Sequence, residues 1–292
     1  MFDWDDIRIF IAAARAGSLS LAGQRLGIDA ATVGRRLARL ETALKSTLVV
    51  RSPSGLALTA AGAQLLETTR AAEVAMEAAE SVARLDPISG TVRISAAEGF
   101  GGVVLAPALP RLLSDHPGLN VELVANSGFL SASRREVDMA ITLSPVPSPR
   151  LIVEPLTEYQ LGLYAAPDHP AAIAQSLSVQ DLGQFDFVGY IDDLIYAPEL
   201  NYLDEISPGL RPRMAISSIR AQKDVIASGG GIGIIPCFMA HGLTRLIPEQ
   251  IHINRHFWLH THRELHSTSR MKAVRRWLTS VTHDSRSELS PF

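Results

Sequence analysis

Cysteine is nearly absent: Cys237 is the only one in 292 residues. That excludes an intrachain disulfide and any cysteine-based zinc centre, and points to a reducing, cytosolic setting. A basic leader is missing too. Met1-Phe2-Asp3-Trp4-Asp5-Asp6 is acidic where a signal peptide needs positive charge, and Arg8 and Arg15 interrupt the apolar run around Phe10. No stretch approaches the roughly 18 apolar residues of a membrane helix. The apolar segments 103–109 and 232–240 contain Pro107 and Pro236 and read as core, so no membrane partner is expected. Paired carboxylates, metal-ligand spacings and a nucleophile elbow are also lacking, which leaves no candidate catalytic residue, metal or cofactor.

A net positive charge, the usual mark of a nucleic-acid partner, is lacking overall: 27 basic residues face 30 acidic ones, for a balance of −3. The average conceals an uneven distribution. Between Arg8 and Gly62 stand eight basic residues (Arg8, Arg15, Arg25, Arg35, Arg36, Arg39, Lys45, Arg51) and two acidic ones, a balance of +6; the remainder sums to −9. With 47% hydrophobic and 20% charged side chains the chain is an ordinary globular protein, and its length predicts about two domains.

The basic window has a helical pattern. Ile7, Phe10, Ile11 and Ala14 share one helix face up to Gly17, a natural C-cap. Ser20 then offers an N-cap for a short helix ending at Gly27, and Asp29 caps a third helix over about 30–44. Two helices joined through a glycine-bearing turn, the second carrying Arg35, Arg36 and Arg39, form a helix-turn-helix pattern whose second helix fits the DNA major groove. Val33, Leu37 and Leu40 face the core, which turns Ala30, Ala31, Thr32, Arg35 and Arg36 toward DNA. Next comes a hairpin pattern, Leu48–Arg51 and Leu56–Leu58 around Ser52-Pro53-Ser54-Gly55: a wing that sets Arg51 against the sugar-phosphate backbone. Thr59 is the N-cap of a long helix, free of proline, over 60–85. Its heptad-spaced small residues (Leu65, Ala72, Ala79 and Thr69, Met76, Ala83) suit pairing with a second copy, the alternative being a helix laid on its own domain.

These residues resemble a known family. Gly17-Ser-Leu-Ser-Leu-Ala-Gly-Gln-Arg-Leu-Gly27, Thr32-Val-Gly-Arg-Arg-Leu-Ala-Arg-Leu-Glu41, Leu48-Val-Val-Arg51 and Leu58-Thr-Ala-Ala-Gly62 are similar to the N-terminal region of LysR-type transcriptional regulators. Further on, Val92–Ser95, Leu105–Pro110, Asp138–Ile141, Leu163–Ala166 and Ser228–Pro236 look like that family's effector-binding domain. The resemblance implies a winged helix-turn-helix over 1–62, a linker and dimerisation helix with hinge over 63–89, and an α/β effector-binding domain over 90–292. It also implies that this last domain forms two subdomains akin to periplasmic binding proteins, I at about 90–161 and 241–292 and II at about 162–240. The partners it implies are double-stranded DNA, a small-molecule effector and a second copy in a homodimer or homotetramer. The chain departs from the family where Asp29, Ala30 and Gly34 stand in place of the usual Ser, Gln and Ser around the recognition helix. Base reading therefore shifts toward Thr32, Arg35 and Arg36.

After Pro87, Ser89 and Gly90 the pattern alternates strand, helix, strand (91–96, 103–114, 119–125), the rhythm of a parallel sheet. Such sheets bind ligands beyond the carboxyl ends of strands. Those ends hold Ser95, Glu98, Phe100 and Gly101, then Asn126 and Ser127, then Thr142, then Ser217 and Ser218. Amides near Gly101 suit an anion, whereas Glu98 opposes one.

Other patterns fail. Gly229-Gly-Gly-Ile-Gly233 lies between a helix and a strand and has Ile234 where a dinucleotide loop needs its third glycine. His252, His256, His260, His262 and His266 are expected on different elements rather than around a metal, and Cys237 follows Pro236 as a buried structural thiol. The rival functions are a constitutive DNA-binding protein without ligand, and an α/β solute-binding protein or enzyme with a helical appendage.

Overall fold

The computed structural model describes residues 3–52, 55–69, 72, 88–126, 137–207 and 209–291, except the side chains of 51, 52 and 126. The chain divides into two compact units, Met1–Leu85 and Asp86–Phe292.

In the first unit α1 (Trp4–Ala16), α2 (Leu19–Leu26) and α3 (Ala30–Leu44) precede a hairpin of β1 (Val49–Ser52) and β2 (Gly55–Leu58), then α4 over residues 60–69. Ile7, Phe10, Leu37, Leu40 and Leu48 are buried in one cluster, and Ile9, Ala13, Ala22 and Val33 in another, so both faces of α1 are spent on the core. The α2–α3 corner is tight: a Cβ on Gly23 would stand 2.6 Å from the Ile28 carbonyl oxygen, so only glycine fits without a backbone shift. Helix α2 begins after Ser18 rather than Ser20, because Ser18 holds the extended conformation that precedes a first turn. The hairpin pairs Ser52 with Gly55, leaving two connecting residues rather than four, and the Leu56 amide donates to the Gly17 carbonyl at 2.7 Å, tying the wing to the end of α1. Thr59 Oγ1 accepts from the Gly62 amide at 3.0 Å and caps α4 as expected. Leu65, expected in a pairing seam, packs on the unit's own core; Met76, Ala79 and Ala83 lie outside the described residues.

The second unit is one nine-stranded sheet flanked by helices. Strand β3 (Gly90–Ala97) leads into a continuous helical run, α5, made of Glu98–Phe100, the π-helical turn Gly101–Leu105 and Ala106–Asp115. Then follow β4 (Leu119–Asn126), β5 (Met139–Thr142) and β6 (Leu151–Ala165). After these come β7 (Phe187–Gly189), β8 (Met214–Ala215), α6 (Ile219–Ala227), β9 (Ile232–Pro236), β10 (Thr244–Leu246), β11 (His252–His262) and α7 (Ser269–Asp284). The strand order is β4-β3-β5-β11-β6-β9-β7-β8, with β10 also on β6. β3 runs parallel to β4 and β5, and β7 parallel to β8 and β9, so the sheet has two parallel halves. The long antiparallel pair β6–β11 passes between them. Val92, Ile94, Ser95 and Ala96 are all buried, as in a strand covered on both faces. A Cβ on Gly101 would stand 2.6 Å from the Ala125 Cβ, so glycine lets α5 lie directly on β4.

Candidate nucleic-acid interface and effector cleft

Asp29 fixes the start of α3. Its Oδ1 accepts from the Thr32 amide at 2.7 Å and its Oδ2 from the Thr32 hydroxyl at 2.6 Å, and these bonds hold the carboxyl below its ordinary pKa. The Thr32 Oγ1 in turn accepts from Arg35 Nη2 at 2.7 Å, so Asp29, Thr32 and Arg35 form a chain along the exposed first turns, with Ala31 exposed and Ala30 half-buried beside them. These bonds hold the Thr32 and Arg35 side chains in one arrangement along the start of α3.

Arg36, expected to point outward, and Arg39 are both engaged by α1. Arg36 donates to Asp6 Oδ1 at 2.9 Å and to Asp5 Oδ2 at 2.5 Å. Arg39 grips both oxygens of Asp6, Nε to Oδ2 and Nη2 to Oδ1, each at 2.6 Å. Asp6 is 1% exposed, and a buried carboxylate needs such partners. Arg36 is therefore half-buried against α1 rather than turned outward, while Arg39 keeps an exposed edge. The local signal was the acidic start Asp3-Trp-Asp-Asp6, which the charge window from Arg8 left out. Arg51 lies on β1 opposite Leu56, and its side chain is outside the described residues.

In the second unit the sequence-derived residues separate into those at one cleft and those elsewhere. Glu98, at the carboxyl end of β3, accepts from the Ser218 hydroxyl at 2.8 Å and from the Ile219 amide at 3.2 Å, while Ser218 caps α6 by accepting from the Ala221 amide. Phe100 is buried with its ring centroid 4.3 Å from that of Phe257, which stacks on Tyr159 at 4.1 Å. Ser217 is exposed, and Ser95 is fully buried within β3, outside the cleft lining. Gly101 serves helix packing. Thr142 donates to the Ser144 carbonyl at 2.6 Å and lies 2.8 Å from His260 Nε2; with its one proton spent, it accepts from His260 Nε2–H. Burial lowers the His260 pKa, in keeping with that neutral ring. Asn126 ends β4 opposite Ala97, its side chain outside the described residues, as is all of Ser127.

Sequence reasoning missed the tyrosines. The cleft beside Glu98 is lined by Phe100, Tyr159, Tyr190, Tyr196 and Tyr202, with Phe238 and Phe257 behind, and encloses about 30 Å³. Burial raises the pKa of all four phenols, that of Tyr196 to about 12 with the Glu98 charge adding to it, so each is neutral at physiological pH. Six-residue spacing of Tyr190, Tyr196 and Tyr202 was the available signal. A wider hollow of about 600 Å³ between α5 and α7 receives no strand ends.

Histidines 252, 256, 260 and 262 share β11, correcting the expectation of separate elements; in an extended strand a four-residue spacing is too long for a shared ligand. Among the described residues no three His, Cys, Asp or Glu side chains are placed to hold a metal ion, and no helix is long and apolar enough to cross a membrane. Cys237 is half-buried, its Sγ accepting from the Tyr164 hydroxyl at 3.3 Å.

Residues 4–63 match the family described as "Bacterial regulatory helix-turn-helix protein, lysR family", and residues 86–282 match "LysR substrate binding domain". The chain belongs to the LysR family of bacterial transcriptional regulators. It is similar to the Mau operon transcriptional activator of Paracoccus denitrificans, 25% identical over 283 residues that cover 96% of each chain. The LysR fold is shared with CrgA of Neisseria meningitidis (TM-score 0.58, 21% identity, covering 96% of this chain and 99% of that one). It is shared also with a full-length OxyR variant from Pseudomonas aeruginosa (TM-score 0.69, 16% identity, covering 96% and 97%). This LysR-type protein is thus a DNA-binding transcriptional regulator with an effector-binding domain, and its family is one of regulators rather than enzymes.

Proposed function

We propose that this regulator acts in the cytoplasm as a homodimer or dimer of dimers on an interrupted palindromic operator, under control of a small molecule bound at the strand ends of its second unit. The observation that carries the DNA half is the pre-oriented Asp29–Thr32–Arg35 chain on the exposed start of α3. Arg35 and Thr32 read bases, Ala30 and Ala31 allow close approach, Arg51 contacts phosphate, and Arg36 and Arg39 set the height of α3 through α1 while Arg39 offers its outer edge to the backbone. Pairing of the helix expected over 60–85 brings two heads to two half-sites. The effector acts because it binds one arrangement of the two sheet halves more tightly than another, with β6 and β11 as the connection that flexes. Mobility shifts on operator DNA test this reading: Arg35→Ala should bind weakly, and parent-like binding would refute the role of α3.

A further inference from the structure

The cleft beside Glu98 has an unusual chemistry for its size. Four of the five tyrosines in the chain line it, and no lysine, arginine or histidine does among the described residues. A carboxylate or phosphate ligand entering there would lose its hydration without meeting a cation. Arg255 lies outside the lining and donates from Nη2 to Glu205, while its Nε is buried without a hydrogen-bond partner among the described residues and its charge reaches Tyr159 and Tyr202. One carboxylate stands in the lining, Glu98, which reaches across from β3 to the start of α6; Glu199 accepts from Ser144 at 2.5 Å outside the lining and acts on Tyr159 less than Arg255 does. The Glu98 carboxylate therefore already occupies the helix start that an anionic ligand would seek, and it keeps lone pairs to spare for a further donor. Aromatic faces around one carboxylate are the pattern that attracts a positive charge, through the ring quadrupole and the counter-ion together.

We propose that the cleft takes a small organic cation, a protonated or quaternary amine, caged by Tyr159, Tyr190, Tyr196 and Tyr202 with Glu98 as its counter-charge. This rests on the reading of the strand-end cleft as the effector site and names the ligand class for it. The enclosed space of about 30 Å³ is close to the share of one water, so binding displaces part of the wall. The segment carrying Tyr190 and Tyr196 is built of short turns rather than strand or long helix, and it is the part of the wall that must shift for a ligand to enter. The cation then shares the Glu98 carboxylate with Ser218 and Ile219, and so bears on the contact between the two sheet halves.

Three probes of one shape and different charge test the proposal on the full-length protein by calorimetry and thermal shift: choline, its neutral carbon analogue 3,3-dimethylbutanol, and the anion 3,3-dimethylbutanoate. Choline should saturate and raise the Tm, the alcohol should bind about tenfold more weakly, and the anion not at all. Glu98→Gln and, independently of the α6 contact, Tyr196→Leu should each weaken choline about tenfold. Preference for the alcohol or the anion, lost in Tyr196→Leu, would overturn the cation class while leaving the cleft as the effector site. Choline binding untouched by both substitutions would place the ligand elsewhere and overturn both readings, and absence of choline binding would overturn the cation class.

Discussion

Asp29 and Asp6 show how two carboxylates 23 positions apart divide the work of positioning one helix. Asp29 fixes the polar chain that ends in Arg35, and Asp6 clamps Arg36 and Arg39 from behind. Arg35→Ala should therefore cost about 1–3 kcal/mol in operator affinity and relax preference at one base position, measured by titration at fixed salt. Asp6→Asn loses charge-assisted bonds from two arginines, and should cost about 1–3 kcal/mol in urea unfolding of the first unit without altering the second. His260 carries a pH signature. Its folded pKa lies below its ordinary value of 6.5, so the unfolded chain binds the extra proton: stability is full above pH 6.5 and falls as pH drops through and below it. His266 shifts in the same direction, so replacing His260 by Asn should shallow that acid slope rather than abolish it.

Among elements, those with a strong local pattern were legible in the sequence. Helix α3 was expected at about 30–44 and spans Ala30–Leu44, because a capping aspartate and a regular apolar stripe act together. β3 was legible as a strand over 91–96 after Ser89 and Gly90, and the glycine run 229–233 marked the junction of a helix and a strand, now α6 and β9. Three things were not. The start of α2 had two serines competing for one cap, and geometry chose Ser18. The commitment of Arg36 and Arg39 depends on residues some thirty positions away, which helical periodicity does not report. The tyrosine cleft assembles β6, the 190–202 segment and the turn after β9, elements distant in sequence and joined only by strand order. The α2–α3 corner supplies an element-scale test. Gly23→Ala forces a Cβ against the Ile28 carbonyl oxygen and should destabilise the first unit by about 1–3 kcal/mol, read as loss of operator binding with the thermal transition of the second unit retained.

For the whole molecule, the charge balance of −3 is an average over unlike parts. The +6 counted from Arg8 to Gly62 is tempered by Asp3, Asp5 and Asp6, which spend part of it inside the first unit, so the exposed basic surface rests on fewer arginines than the count suggests. The remainder sums to −9, a sign that repels phosphate, so the basic excess is confined to residues 8–62. Operator affinity should still fall steeply with salt, since each phosphate contact releases counter-ions. The central claim is that α3 reads sequence in a paired molecule. Selection of bound fragments from a random duplex pool, with the full-length parent and with Arg35→Ala, tests it most directly. The parent should enrich a two-fold-symmetric sequence with half-sites about one helical turn apart or a multiple of it, and Arg35→Ala should lose preference at one position in each half-site. No enriched sequence, or the same motif from both proteins, would contradict the account.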